Sequence, residues 1–178
     1  MIAWATIEDA IRTWTLKSSP LTADRVFFAD QDLPIAEVSP RLVIRLGDLI
    51  PIGQDSVDHT FDAGRPAGEE IEIEAKGMRT LAVDLQAFAP ETVGAGITAR
   101  SILATAQAVL SLPSVRTALN DAGLGLIAQG TIQRIPQPRQ ATQEDRATFS
   151  VIFAVSQSVA ERLGYIATVE DYDVQVVP

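Results

Sequence analysis

The 178-residue sequence predicts an α+β fold, a mostly antiparallel sheet with two or three helices packed on it. Three observations carry that expectation. A helical pattern comes first, then several stretches of period two, then two more helical stretches, then strands again. The dipeptide Lys76-Gly77 separates two alternating segments and is too short for a crossover, so it predicts an antiparallel hairpin. ATFSVIFAV (147–155) alternates cleanly, with Ala147, Phe149, Val151, Phe153 and Val155 on one face and Thr148 and Ser150 on the other.

Taken in order, Thr6 reads as an N-cap with Asp9 at N3, a weak capping box. Ile7, Ala10, Ile11 and Trp14 recur at helical spacing, and Ser18-Ser19-Pro20 ends a helix over about 6–17. RVFFA (25–29) is a short apolar strand before the polar turn DQDLP. RLVIRLGDLIPI (41–52) is a long β-branched strand with Leu42, Ile44 and Leu46 on one face. GQDSVDHTFDAGRPAG (53–68) is polar, with three glycines and one proline, and predicts a long loop of the functional or mobile kind.

EEIEIEAK (69–76) sets Ile71, Ile73 and Ala75 against Glu70, Glu72, Glu74 and Lys76, and MRTLAVDLQAFA (78–89) continues with Leu81, Val83, Leu85 and Ala87. Ile102, Leu103, Ala106, Val109 and Leu110 form a helical stripe that Pro113 stops. Ser114 then caps a short helix carrying Val115, Ala118, Leu119 and Ala122, with Gly123 in the C′ role. LGLIAQGTIQRI (124–135) reads as a strand and PQPRQATQED (136–145) as a second polar loop. After 147–155, SQSVAERLGY is expected to bend away, and IATVEDYDVQVV to close the chain as extended segments. The length suits a single domain over 1–178, with long loops at 53–68 and 136–145.

Composition removes several function classes. With no cysteine there is no disulfide, no thiolate metal site and no cysteine nucleophile. MIAWATIEDAIRTW carries acids early and does not read as a signal peptide. No segment approaches the roughly 20 apolar residues of a membrane span, so no membrane partner is expected. A net charge of −9 argues against a binder that grips nucleic acid by its phosphates. The same charge suits a channel that lets DNA slide past without holding it.

The motifs for chemistry are thin. Gly94 to Ala99 reads G-x-G-x-x-A between a strand and a helix, the order of a dinucleotide cradle. The preceding strand, however, belongs to an antiparallel hairpin, and no acid follows the next strand to hold a ribose. The alternative is a plain strand-to-helix connection. His59 has Asp55, Asp58 and Asp62 near it in sequence, but a lone histidine makes no His-rich metal site. Glu70, Glu72 and Glu74 lie about 7 Å apart along one strand face. They suit acid–base work, Ca²⁺, a solvated face, or a surface that repels DNA in an assembled ring. There is no G-x-S-x-G elbow. No catalytic residue, metal or cofactor is expected, and the protein reads as a non-enzyme.

Four segments, in order, resemble the neck and tail-terminator proteins of long-tailed phages. They are TIEDAIRTW with ADRVFFADQDLP, RLVIRLGDLIPIGQD, ARSILATAQAVLSLPSVRTALNDAGLGL, and LGYIATVE. Similar proteins carry a leucine-proline-serine-valine-arginine segment, here Leu112 to Arg116, then an alanine-glycine turn, here Ala122-Gly123. They also carry a glycine-tyrosine-isoleucine-x-threonine-valine-glutamate strand, here Gly164 to Glu170. The resemblance covers nearly the whole chain.

It implies a tail-terminator-like fold assembled as a homo-hexameric ring in the virion, built in the host cytoplasm. Such a ring caps the tail tube on one face, stops its polymerisation, and docks the head connector on the other. DNA passes through without specific binding. The expected tube and ring contacts are Gln54, Asp55, His59, Arg65, Glu70, Glu72 and Glu74 in and beside the 53–68 loop. Arg100, Arg116 and Arg134 are expected to meet acids of a neighbour. The rival readings are a head-completion protein on the connector side, a polymerising tube or baseplate subunit, and a small-molecule enzyme using the 94–99 turn.

Overall fold

The computed structural model of the chain describes residues 4–18, 20–30, 40–66, 68–90, 96–135 and 144–164. Gly94-Ala95, most of the 136–145 loop and the segment after Gly164 lie outside the described residues. The elements are α1 (Trp4–Ser18), a 3₁₀ turn (Ala23–Arg25), β1 (Val26–Phe28), β2 (Arg41–Phe61) and β3 (Ile71–Pro90). There follow α2 (Ala99–Val109), α3 (Pro113–Asp121), β4 (Leu124–Gln129), β5 (Gln133–Ile135) and β6 (Glu144–Leu163). The six-stranded sheet runs β1-β2-β3-β6-β4, with β5 also on β6. Among the described residues β1 alone is parallel to its neighbour, and the other pairs are antiparallel. The fold is α+β, as the patterning predicts.

The helices lie on one face of the sheet. Leu81, Val83, Leu85, Ala87 and Ala89 of β3 are all fully buried, as are Ala147, Phe149, Val151 and Phe153 of β6. They meet Ile7, Ile11 and Trp14 of α1, Ile102, Leu103 and Ala106 of α2, and Val115 and Leu119 of α3. Trp14 is the keystone. Its ring edge packs on Phe153 with centroids 6.2 Å apart, and its indole Nε1–H donates to the Ala106 carbonyl at 3.1 Å. An indole can be buried that deeply because its one donor finds a partner. At the base of the sheet Arg41, 5% exposed, makes a two-pronged bond to Glu144 (2.8 and 3.2 Å). Its guanidinium also stacks on Phe88, 4.0 Å from the ring centroid.

Four expectations need correction. The 53–68 segment is not one long loop. β2 continues to Phe61, and Ser56–Phe61 pair with Lys76–Ile71, so the connection shrinks to residues 62–70. Two irregularities, between Leu46 and Leu49 and between Ile52 and Ser56, absorb the extra residues, and Gly53 (φ 73°) supplies the positive φ at the second. Lys76-Gly77 is not a turn either. β3 runs through it, with Gly77 opposite Gln157 in an unbroken ladder. Gly77 is a glycine for room: a Cβ there would strike the Asp55 carboxylate and the Arg79 guanidinium, which meet above it.

Residues 156–163 do not bend away, because they stay in β6 and pair with Ile71–Met78. The helix starts also differ. Thr6 lies inside α1, which begins at Trp4. Pro113 opens α3 at its first turn, where its missing N–H costs nothing, and Ser114 is inside that helix. Gly123 does take a positive φ of 80° after α3.

Candidate assembly interface

Three strands leave the helix-covered base and project as an arm: β2 from Ile50 to Phe61, β3 from Ile71 to Arg79, and β6 from Ser156 to Leu163. Every β2 residue from Ile50 to Phe61 is exposed, as is every β6 residue from Val159 to Leu163. Residues directly across an antiparallel ladder share a face, and the register therefore sorts the side chains. Val57, Ala75 and Val159 form one row, His59, Ile73 and Glu161 the next, and Phe61, Ile71 and Leu163 the last. This mostly apolar face is the outward continuation of the core face, since β3 and β6 keep one register throughout. Val57 (54%), Val159 (58%) and Leu163 (42%) are exposed on it.

The opposite face is charged. Lys76 bonds Glu74 at 2.9 Å and Asp58 at 3.5 Å. Arg65 bonds Glu72 at 2.8 Å, and Arg162 lies 3.6 Å from Glu72 and 3.7 Å from Glu69. Neighbouring Glu74 raises the Lys76 pKa, and Asp62 followed by Glu72 raises that of Arg65. Asp55, Asp58, Asp62, Glu69, Glu70, Glu72, Glu74 and Glu161 outnumber Arg65, Lys76, Arg79 and Arg162, so the arm keeps a negative excess. Away from the arm, the same face of the sheet carries no described helix, and shows Thr80, Ala82, Asp84 and Gln86, with Ser150 donating to Asp84.

Asp55 and Arg79 mark the boundary between base and arm. Two 2.6 Å bonds join them, and these bonds hold the Asp55 carboxyl below the usual range. At the tip, Asp62 is lowered first by the Gly64 N–H and then by Arg65. Glu70 accepts from the Gly68 N–H at 2.9 Å.

The structure brings Gln54, Asp55, His59, Arg65, Glu70, Glu72 and Glu74 together on the arm and its tip. It keeps Arg100, Arg116 and Arg134 on the base. Arg134 bonds Asp145 at 2.9 Å, and Arg116 donates to the Leu110 carbonyl at 3.2 Å. His59 and Asp58 project from opposite faces, and Asp55 and Asp62 are held by arginines, so these four do not converge on an ion. Among the described residues no group of histidines and acids is placed to hold a metal. At the start of α2, Thr98 and Ser101 cap each other and the Ala99 N–H donates to Asp145 at 3.1 Å. A phosphate arriving there would meet a carboxylate.

The sequence reading missed the exposed apolar residues Val57, Val159 and Leu163. Their segments, SVDHTF and SVAERL, mix polar and apolar residues and become recognisable as strands only once paired.

The family model described as "Phage neck terminator protein" matches residues 5–178. No curated protein matches. A solved structure described as "Virion of native gene transfer agent (GTA) particle" is 15% identical with a TM-score of 0.34, covering 88% of this chain and 100% of that one.

Proposed function

The chain belongs to the phage neck terminator protein family, and from that premise we propose that it forms the ring that ends the tail tube. It is a structural protein of the head–tail neck and a component of the virion. In the proposed reading six copies surround a channel. The ring covers the last tube ring on one face, blocks further subunit addition, and presents the other face to the head connector.

The observation that carries this reading is the arm, an amphipathic three-stranded projection whose apolar face has no described helix over it. Exposed apolar rows beside ordered ion pairs are the anatomy of a protein contact rather than of a solvated surface. The interface residues are Gln54, Asp55, His59, Arg65, Glu70, Glu72 and Glu74, with Val57, Val159 and Leu163 added by the fold. Arg100, Arg116 and Arg134 are proposed to meet neighbouring subunits from the base. The helix-free face, acidic along the arm, faces the channel in this arrangement, where like charge keeps DNA from sticking.

Electron microscopy of particles from a host lacking the gene tests the reading. Overlong, headless tails are expected. Normal-length tails that fail to join heads would move the protein to the connector side. Fully normal particles would overturn a neck role.

A further inference from the structure

We propose that the arm half of β2 has two registers against β3, two residues apart, and that the Asp55–Arg79 pair selects the one observed. This is a conformational device within one chain and does not depend on the ring.

The surplus on β2 is even. Ile52 faces Met78 and Ser56 faces Lys76, so Gly53, Gln54 and Asp55 stand against Gly77 alone. Three residues against one leave two extra. A slip of one residue would turn every arm side chain of β2 to the other face, whereas a slip of two turns none. Hydrophobic patterning therefore does not separate the observed register from one in which the surplus is drawn out.

Drawing it out gives a defined alternative. The ladder would continue from Ile52 without a break, setting Gly53 opposite Gly77, Asp55 opposite Ala75, Val57 opposite Ile73 and His59 opposite Ile71. In the observed register Val57 faces Ala75, His59 faces Ile73 and Phe61 faces Ile71. Both keep Val57 and His59 on the mostly apolar face. The two residues reappear at the tip, where the connection lengthens from 62–70 to 60–70. The backbone bond from the Asp62 N–H to the Glu70 carbonyl, 2.9 Å, is exchanged for the new ladder pairs. β3 and β6 take no part, since their own ladder has no shift.

Charge pairing tells the registers apart. Arg79 faces Pro51 on the base side of the irregularity, whereas Asp55 adjoins Ser56 on the arm side. Their two 2.6 Å bonds therefore tie the ends of the surplus together. The Arg79 side chain is only 14% exposed, which makes this carboxylate its main counter-charge. Glycine at 77 is the condition for the clasp, because a Cβ there would occupy the space in which the two groups meet. In the alternative register Asp55 moves two positions toward the tip, off Arg79 and into the row of Ala75 and Val159. Asp58 leaves Lys76, 3.5 Å away, for Glu72, where Arg162 stands at 3.6 Å. That exchange swaps one cation for another, so the Asp55–Arg79 pair is the contact that decides.

The chain has no native cysteine, so engineered disulfides within one chain report the register. His59→Cys with Ile73→Cys is opposed in the observed register, and Val57→Cys with Ile73→Cys only in the alternative. Positions 57 and 59 are exposed and 73 is half-buried, so these changes spare the core. A disulfide fits opposed residues far better than diagonal ones. Closure of each pair in the full chain is timed by peptide mapping under oxidation. With the clasp intact the 59–73 link should form faster. With Asp55→Asn, Arg79→Gln or Gly77→Ala the ratio should move toward the 57–73 link by about tenfold. Unchanged ratios in all three backgrounds would overturn the proposal. A further chain lacks Gly53 and Gln54 and carries Asp55→Asn. It has no surplus to release, so its 59–73 link should keep the lead. A gain of the 57–73 link there would show general loosening of the arm instead of a slip, and would also overturn the proposal.

Discussion

From Leu81 to Ala89 every second residue of β3 is fully buried, whereas from Ile71 to Arg79 none is. The strand is the same, its register against β6 is the same, and the alternation of side chains continues across the boundary. What changes is the layer above. Over the base, α1, α2 and α3 complete a core around Trp14. Over the arm no described helix lies on the apolar rows. A strand's sequence thus specifies a face, and the reach of the packed helices decides whether that face becomes core or stays exposed.

The largest test of this contrast sets Trp14→Ala against Val159→Ser. Removing the indole opens a cavity and takes one donor from the Ala106 carbonyl, which keeps only the Leu110 N–H, so a loss of about 3–5 kcal/mol is expected in denaturant unfolding. Val159→Ser, on the exposed rows, should stay within about 0.5 kcal/mol. Comparable losses at the two sites would erase the distinction between base and arm.

Next is the buried end of the base. Glu144→Ala removes the carboxylate that the buried Arg41 guanidinium holds at 2.8 and 3.2 Å, at a cost of about 3 kcal/mol. A change close to zero would mean that this pair contributes little to the hold on Arg41.

The smallest effect belongs to the arm and sharpens the comparison by acid. Asp55 and Asp62 have lowered folded pKa values, Asp55 chiefly through Arg79 and Asp62 chiefly through the Gly64 N–H. Lowered carboxylates contribute stability that is complete above their unfolded values, about 4, and is lost as pH falls through their folded values. Amide hydrogen exchange should therefore show the arm loosening before the base below about pH 4. Simultaneous loosening would deny the arm an independent electrostatic hold.

The base was legible in the sequence because burial on one side only writes a strong pattern. Ala147 to Val155 and Leu81 to Ala87 alternate apolar with polar, and Ile102 to Leu110 keeps a helical stripe. The arm was legible only on β3, where EEIEIEAK alternates as the structure also has it, and not on β2 and β6, for physical reasons. A strand wet on both faces, such as SVDHTF, has little contrast to read. Gly53 and Gly77 looked like punctuation, yet one serves a strand irregularity and the other makes room for an ion pair. Pro113 has the same ambiguity, since it ends one helix pattern and opens the next. Of the expected contact residues, those near 53–76 do cluster on the arm. Arg100, Arg116 and Arg134 stay on the base, where the fold gives Arg116 and Arg134 partners within the chain.

The ladder between β3 and β6 has a mechanical consequence. It runs through twenty residue pairs, from Ile71↔Leu163 to Pro90↔Glu144, with no shift in register. At about 3.3 Å per residue the shared strand is about 66 Å long. A pull on the arm along that axis loads the ladder in shear, across many backbone bonds at once, rather than peeling them singly. The arm is therefore a stiff lever. A tilt at its tip is transmitted to the base under the helices.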